Sequence, residues 1–128
     1  MDYRVKKVIA LMEEYLHKGW ATSKLVQFVN ISPSRLHRLF KDETGLPPAR
    51  YLHLLRMERA KEILETSCLS VKEVMTLVGV TDESHFVRDF KKSYGLTPAK
   101  YRERSRYGDE QQGREIYRQL QNQAVQRG

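Results

Sequence analysis

The chain has 128 residues, with 23 Lys and Arg against 16 Asp and Glu, and a formal net charge of +7. That length admits one or two small domains and excludes a large enzyme core, while the charge favours an acidic partner such as nucleic acid over a membrane surface. One cysteine, Cys68, excludes an internal disulfide, and the absence of a bilayer-length apolar run or a signal-peptide pattern makes a cytoplasmic protein the expectation.

Val5, Val8, Ile9, Met12 and Leu16 recur at helical steps and predict a first helix over about Tyr3 to Lys18, ended by Gly19. Leu25, Phe28 and Val29 predict a shorter helix beginning near Thr22 or Ser23, broken at Asn30-Ile31-Ser32. Ser32 suits an N-cap and Pro33 the first helical position of a third helix. Leu36, Leu39 and Phe40 form its buried face, and Gly45 closes it. Pro48 opens a fourth helix running to about Glu65, with Leu52, Leu55, Ile63 and Leu64 directed inward.

Ser70 and Glu73 form a capping-box pattern before Val71, Val74, Met75 and Val78, with Gly79 as the stop. Thr81 or Asp82 caps a sixth helix that buries Phe86 and Phe90 and ends at Gly95. Thr97-Pro98 starts a short seventh helix to about Arg104. No alternating two-residue pattern is bounded by hairpin signals, so the fold class is all-α with about seven helices. From Ser105 onward the chain turns glutamine-rich and poor in large apolar residues. Ile116, Leu120 and Ala124 keep four-residue steps, but composition favours a mostly solvated extension over a frayed helix.

A block also repeats. Ser34, Arg38, Phe40, Lys41, Gly45, Leu46, Pro48, Ala49 and Tyr51 return as Ser84, Arg88, Phe90, Lys91, Gly95, Leu96, Pro98, Ala99 and Tyr101. Two copies are too few for a solenoid, so one small unit is used twice. Each unit reads as helix, short turn, helix with outward cations, which is the helix-turn-helix pattern. The second turn holds one extra residue, because the first helices match one position out of step with the recognition helices.

In such a unit the second helix offers its outward residues to a major groove. Here these are Ser34, Arg35, His37, Arg38 and Lys41 in the first unit, and Glu83, Ser84, His85, Val87, Arg88 and Lys91 in the second. Arginine grips guanine with two hydrogen bonds, while cations a turn later lie nearer the phosphates. Base reading is therefore expected of Ser34, Arg35, His37, Arg38, Glu83, Ser84, His85, Val87 and Arg88. Phosphate contact is expected of Ser32, Lys41, Lys91, Lys92, Arg50 and Lys100. The first head carries more donors, since Glu83 and Val87 dilute the second. Arg56, Arg59 and Lys61 on the connecting helix are expected to face the duplex or solvent.

The arrangement Ser32-x-x-x-Leu36-x-Arg38-x-Phe40-Lys41…Gly45, then Tyr51-Leu52…Arg56…Ala60…Leu64, then Gly79…Ser84-x-Phe86-x-Arg88-x-Phe90-Lys91-Lys92…Gly95-x-Thr97-Pro98-x-x-Tyr101-Arg102 resembles the AraC/XylS family of bacterial transcription regulators. The resemblance covers about residues 5 to 104. It implies two helix-turn-helix subdomains, about 3–46 and 66–104, joined by a linker helix, about 47–65, with a polar tail over 105–128. It further implies a promoter regulator, usually an activator that touches RNA polymerase. Val26 and Met75 stand where the family usually has alanine, and Val80 where it usually has an aromatic residue. The chain is similar to the short, stand-alone MarA/SoxS-like members, or it is the C-terminal piece of a longer protein.

The expected partner is double-stranded DNA, bound by one chain, with no cofactor and no membrane. The four histidines lack metal-ligand spacing, so no metal is expected. Cys68 reads as a small packed residue. No nucleophile–base pair, paired carboxylates or phosphate loop is placed for catalysis, so an enzyme is not expected. The alternative is an AraC-like module that antagonises another regulator through protein contacts, without binding DNA.

Overall fold

One long helix serves two apolar cores. The computed structural model describes residues 1–18, 22–105, 118 and 120–122. In chain order these form α1 (Tyr3–Glu14), α2 (Thr22–Leu25) continued by a 3-10 turn (Val26–Phe28), α3 (Pro33–Thr44), α4 (Pro48–Thr66), α5 (Val71–Val78), α6 (Glu83–Tyr94) and α7 (residues 98–105). No strand occurs among the described residues, and the fold is all-α.

The helix ends follow from capping chemistry. The Ser32 hydroxyl accepts the Arg35 N–H at 3.2 Å ahead of Pro33, and Gly45 closes α3 in the left-handed region at φ 82°. Ser70 and Glu73 complete both bonds of a capping box at 3.1 Å each. Asp82, rather than Thr81, caps α6 by accepting the His85 N–H at 3.0 Å. The Asp2 carboxylate caps α1 through the Arg4 N–H at 2.8 Å.

Two elements depart from expectation. α1 stops at Glu14, not Lys18, with the Tyr15 N–H bonded to the Leu11 carbonyl. The chain then turns so that the Leu16 and Lys18 carbonyls meet the Arg56 guanidinium, a tertiary contact that competes with continuing the helix. Gly19, the expected stop, lies outside the described residues. The second helix is α-helical only to Leu25 and then tightens into the 3-10 turn, a common way for a short helix to finish. Asn30 follows at φ 55°, a backbone region that asparagine tolerates better than most residues.

Val5, Val8 and Met12 of α1 pack with Leu25, Val29, Leu36, Phe40 and Leu52 in the first core. Met57, Ala60 and Leu64 of α4 pack with Val74, Met75, Val78, Phe86 and Phe90 in the second. At about 100° per residue, Tyr51, Leu52 and Leu55 point almost opposite to Met57, Ala60 and Leu64. The first half of α4 thus completes one core and the second half the other. Each fully buried phenylalanine contributes on the order of 1.5–3 kcal/mol.

The repeat is visible in the packing. Phe40 meets Tyr51 edge-on at 5.2 Å between ring centroids, and Phe90 meets Tyr101 the same way at 5.5 Å. The Tyr101 hydroxyl donates to the Glu65 carboxylate. Burial, then that bond, pushes its pKa up to about 12. Val26 and Val80 pack partly buried against the first and second cores, and Met75 is buried in the second. Cys68 corrects the sequence reading: it is exposed, because it lies in the short link from α4 to α5 with no element over it. Among the described residues no helix is long and apolar enough to cross a membrane. Of the tail, residues 118 and 120–122 are helical and exposed, and the rest of the expectation for 105–128 falls outside the described residues beyond Ser105.

Candidate nucleic-acid interface

α3 turns Leu36 and Phe40 inward, so the residues on its opposite side face out. Ser34, Arg35, His37, Arg38 and Lys41 are all exposed, and Pro33, Ser34, His37, Arg38, Lys41 and Asp42 line a shallow surface depression. α6 does the same around Phe86 and Phe90. Glu83, Ser84, His85, Arg88, Lys91 and Lys92 are exposed, whereas Val87 is half-buried. Within each helix the structure gathers the expected residues on one side. Ser32, Arg50 and Lys100 are exposed too. The Ser32 oxygen already accepts the Arg35 N–H, and its own O–H remains free to donate.

The charge environment differs between several of these cations and those in the middle of α4. Among the described residues, Arg35, Arg38, Lys41, Lys91 and Lys92 have no carboxylate oxygen within 4.0 Å. Three cations in the middle of α4, unlike Arg50 at its start, are engaged. Arg59 meets Glu62 at 3.0 Å, and Lys61 stands 4.0 Å from Glu65 and over the Tyr94 ring. Arg56 corrects the expectation of a face turned to duplex or solvent. Its Nη2 donates to the Lys18 carbonyl at 2.8 Å and its Nε to the Leu16 carbonyl at 3.3 Å. The side chain is therefore partly desolvated, and that burial lowers its pKa.

The second head is more encumbered than the first. His85 Nδ1 sits 2.7 Å from the Asp82 carboxylate, which also holds the His85 N–H. First the backbone N–H and then the side chain of His85 keep the Asp82 carboxyl below its ordinary 3.8. Arg88 Nε lies 3.9 Å from Asp89, whose other oxygen meets His53 Nε2 of α4 at 3.3 Å. Sequence reasoning named Asp82 as a possible cap and did not foresee its grip on His85; the three-residue spacing of an acid and a histidine at a helix start is the signal that offers it. Asp89, at the outer edge of the Phe86–Phe90 face, was also missed as a tie between α6 and α4.

The turns differ as the sequence implies. One residue, Ile31, separates left-handed Asn30 from the cap Ser32, whereas two, Val80 and Thr81, separate left-handed Gly79 from the cap Asp82. No three His, Cys, Asp or Glu side chains gather to hold a metal ion among the described residues.

A family model described as a helix-turn-helix domain matches residues 25–104. The MmsAB operon regulatory protein of Pseudomonas aeruginosa is 36% identical over 100 residues, covering 78% of this chain and 33% of that protein. The chain belongs to the AraC/XylS family. The HTH-type transcriptional activator RhaS of Escherichia fergusonii is 31% identical over 102 residues, covering 80% of this chain and 37% of RhaS. The crystal structure of the DNA-binding domain of AdpA in complex with a target DNA superposes with a TM-score of 0.78 at 29% identity, over 83% of this chain and 96% of that one. The chain thus carries an AraC-type DNA-binding domain, and the family is one of transcription regulators. It spans 26 to 37% of the length of curated relatives that it matches.

Proposed function

We propose that this chain binds double-stranded DNA sequence-specifically as a single copy, with α3 and α6 seated in two successive major grooves, and that it activates transcription. The observation that carries the reading is the set of exposed cations on α3, Arg35, Arg38 and Lys41, which have no carboxylate oxygen within 4.0 Å among the described residues, whereas Arg56, Arg59 and Lys61 of the connecting helix are engaged within the protein. The 19 residues of α4 extend over about 28 Å, comparable with the one-turn separation of about 34 Å between successive grooves. The target DNA in the AdpA structure supports the choice of partner. The name of RhaS supports activation, for which contact with RNA polymerase in the cytoplasm is the expected route.

In this reading Ser34, Arg35, His37 and Arg38 read bases in one groove, and Glu83, Ser84, His85, Val87 and Arg88 in the other. Ser32, Lys41, Arg50, Lys91, Lys92 and Lys100 hold phosphates. The domain comprises about residues 1–104, with the tail outside the reading surface.

Selection of bound sequences from a random duplex pool tests this. The expected product is a non-palindromic site of two blocks spanning roughly 20 bp, occupied by one chain, with affinity falling linearly in log salt. A palindromic site holding two chains overturns the single-copy reading. No enrichment even at low salt overturns DNA recognition itself.

A further inference from the structure

The two units touch at a small junction built on the carbonyl of Leu16. Gly79, in the turn between α5 and α6, lies against the turn that ends α1. A Cβ at Gly79 would stand 2.5 Å from the Leu16 carbonyl oxygen and 3.1 Å from both Cα and the carbonyl carbon of His17. From α4, Arg56 Nε donates to the same Leu16 carbonyl, and its Nη2 to the Lys18 carbonyl two residues on. Connecting helix, first unit and second unit therefore meet around a single backbone carbonyl.

Beside this contact the units part. A cleft of about 520 Å³ opens between His17 on one side and Lys72, Thr76, Thr81 and Glu83 on the other. Each core packs on its own half of α4, and apart from this junction and the His53–Asp89 contact a helix between two cores can bend and twist. The planar guanidinium fork holds two carbonyls at once, which a lysine ammonium on its flexible stem does not reproduce. Gly79 lets one backbone rest on another, where any side chain would hold the units apart.

We infer that the Leu16–Arg56–Gly79 junction locks the two reading heads at one separation and angle, and so dictates the spacing that a DNA site must have between its two blocks. Arg56 and Gly79 are then positioning residues that touch no base. This rests on the two-headed reading above. Inserting one base pair moves a block by about 3.4 Å and turns it by about 35°, which locked heads cannot follow.

The test measures affinity for the selected site and for versions with one base pair added or removed between the blocks, using the full chain. Wild type is expected to lose about tenfold or more at either altered spacing. Arg56→Ala is expected to vary by less than about threefold across the series, with unchanged affinity for DNA bearing only the first block. Arg56→Lys falls between. A readout without DNA runs in parallel: spin labels at Glu43→Cys and Ser93→Cys, in a Cys68→Ser background, give the distance distribution between α3 and α6. It should be narrow with Arg56 and broad with Arg56→Ala. Gly79→Ala should shift the preferred spacing, and where it does not fold the Arg56 pair decides. An Arg56→Ala chain with the wild-type spacing profile and distance distribution overturns the junction alone. A wild-type chain that selects no two-block site overturns the two-headed reading beneath it.

Discussion

A methyl group added at position 45 meets open space, and one added at position 79 meets a carbonyl oxygen. Both glycines are left-handed, at φ 82° and 77°. Gly45→Ala is therefore expected to cost about 1–2 kcal/mol, the backbone strain of an L residue there. Gly79→Ala should cost clearly more, because the Leu16 backbone must also move. Urea unfolding of both variants checks this, and equal losses would show that the α1 turn does not rest on Gly79. The same junction shows what sequence conceals at single residues. Arg56 follows Leu52 by four residues, yet its charge made solvent or DNA the natural expectation. Its acceptors are backbone carbonyls 40 and 38 residues earlier, in a turn whose path no pattern announces. Cys68 failed in the opposite sense, since small size alone does not bury a residue in a link that nothing covers.

At the scale of elements, the ends of α3, α5 and α6 were legible because caps and left-handed glycines are local chemistry. α4 was legible as a helix but not as a two-sided one. Met57 and Ala60 are fully buried yet fall off the single face drawn through Leu52 and Leu55, since the helix changes partner midway. The capping carboxylates make stability depend on pH in a definite direction. Bonds from His85 at Asp82, and from Ser70 at Glu73, hold both carboxyls below their ordinary 3.8 and 4.5. A depressed folded pKa means stability that is present above the ordinary value and lost as the pH falls below it. Asp82→Asn keeps a cap but has no carboxylate to protonate. The stability gap between wild type and Asp82→Asn should thus narrow as the pH drops from 5 to about 2 in acid unfolding. A gap that stays constant over that range would mean the carboxylate's charge contributes nothing to α6.

For the whole molecule, the repeat made two similar units readable in the sequence, and the matching Phe40–Tyr51 and Phe90–Tyr101 contacts carry it into the packing. What the repeat could not show is how unequal the heads are. Among the described residues, α3 presents Arg35, His37, Arg38 and Lys41 with no carboxylate within 4.0 Å, while α6 has His85 held by Asp82 and Arg88 beside Asp89. The proposed division of labour gives Lys91 a purely electrostatic part. Lys91→Ala should weaken all sequences alike and reduce the slope of log affinity against log salt by about one. A change in base preference instead would place Lys91 among the readers. The measurement that bears most directly on two-groove recognition is a base-pair substitution scan across the selected site, repeated with Arg38→Ala and Arg88→Ala. Arg38→Ala should cost about 1–3 kcal/mol and erase the penalties within one block only. Arg88→Ala should erase penalties in the other block, one helical turn away, and by a smaller amount. If both variants act on the same block, or if either weakens every probe equally, α3 and α6 do not read two separate grooves.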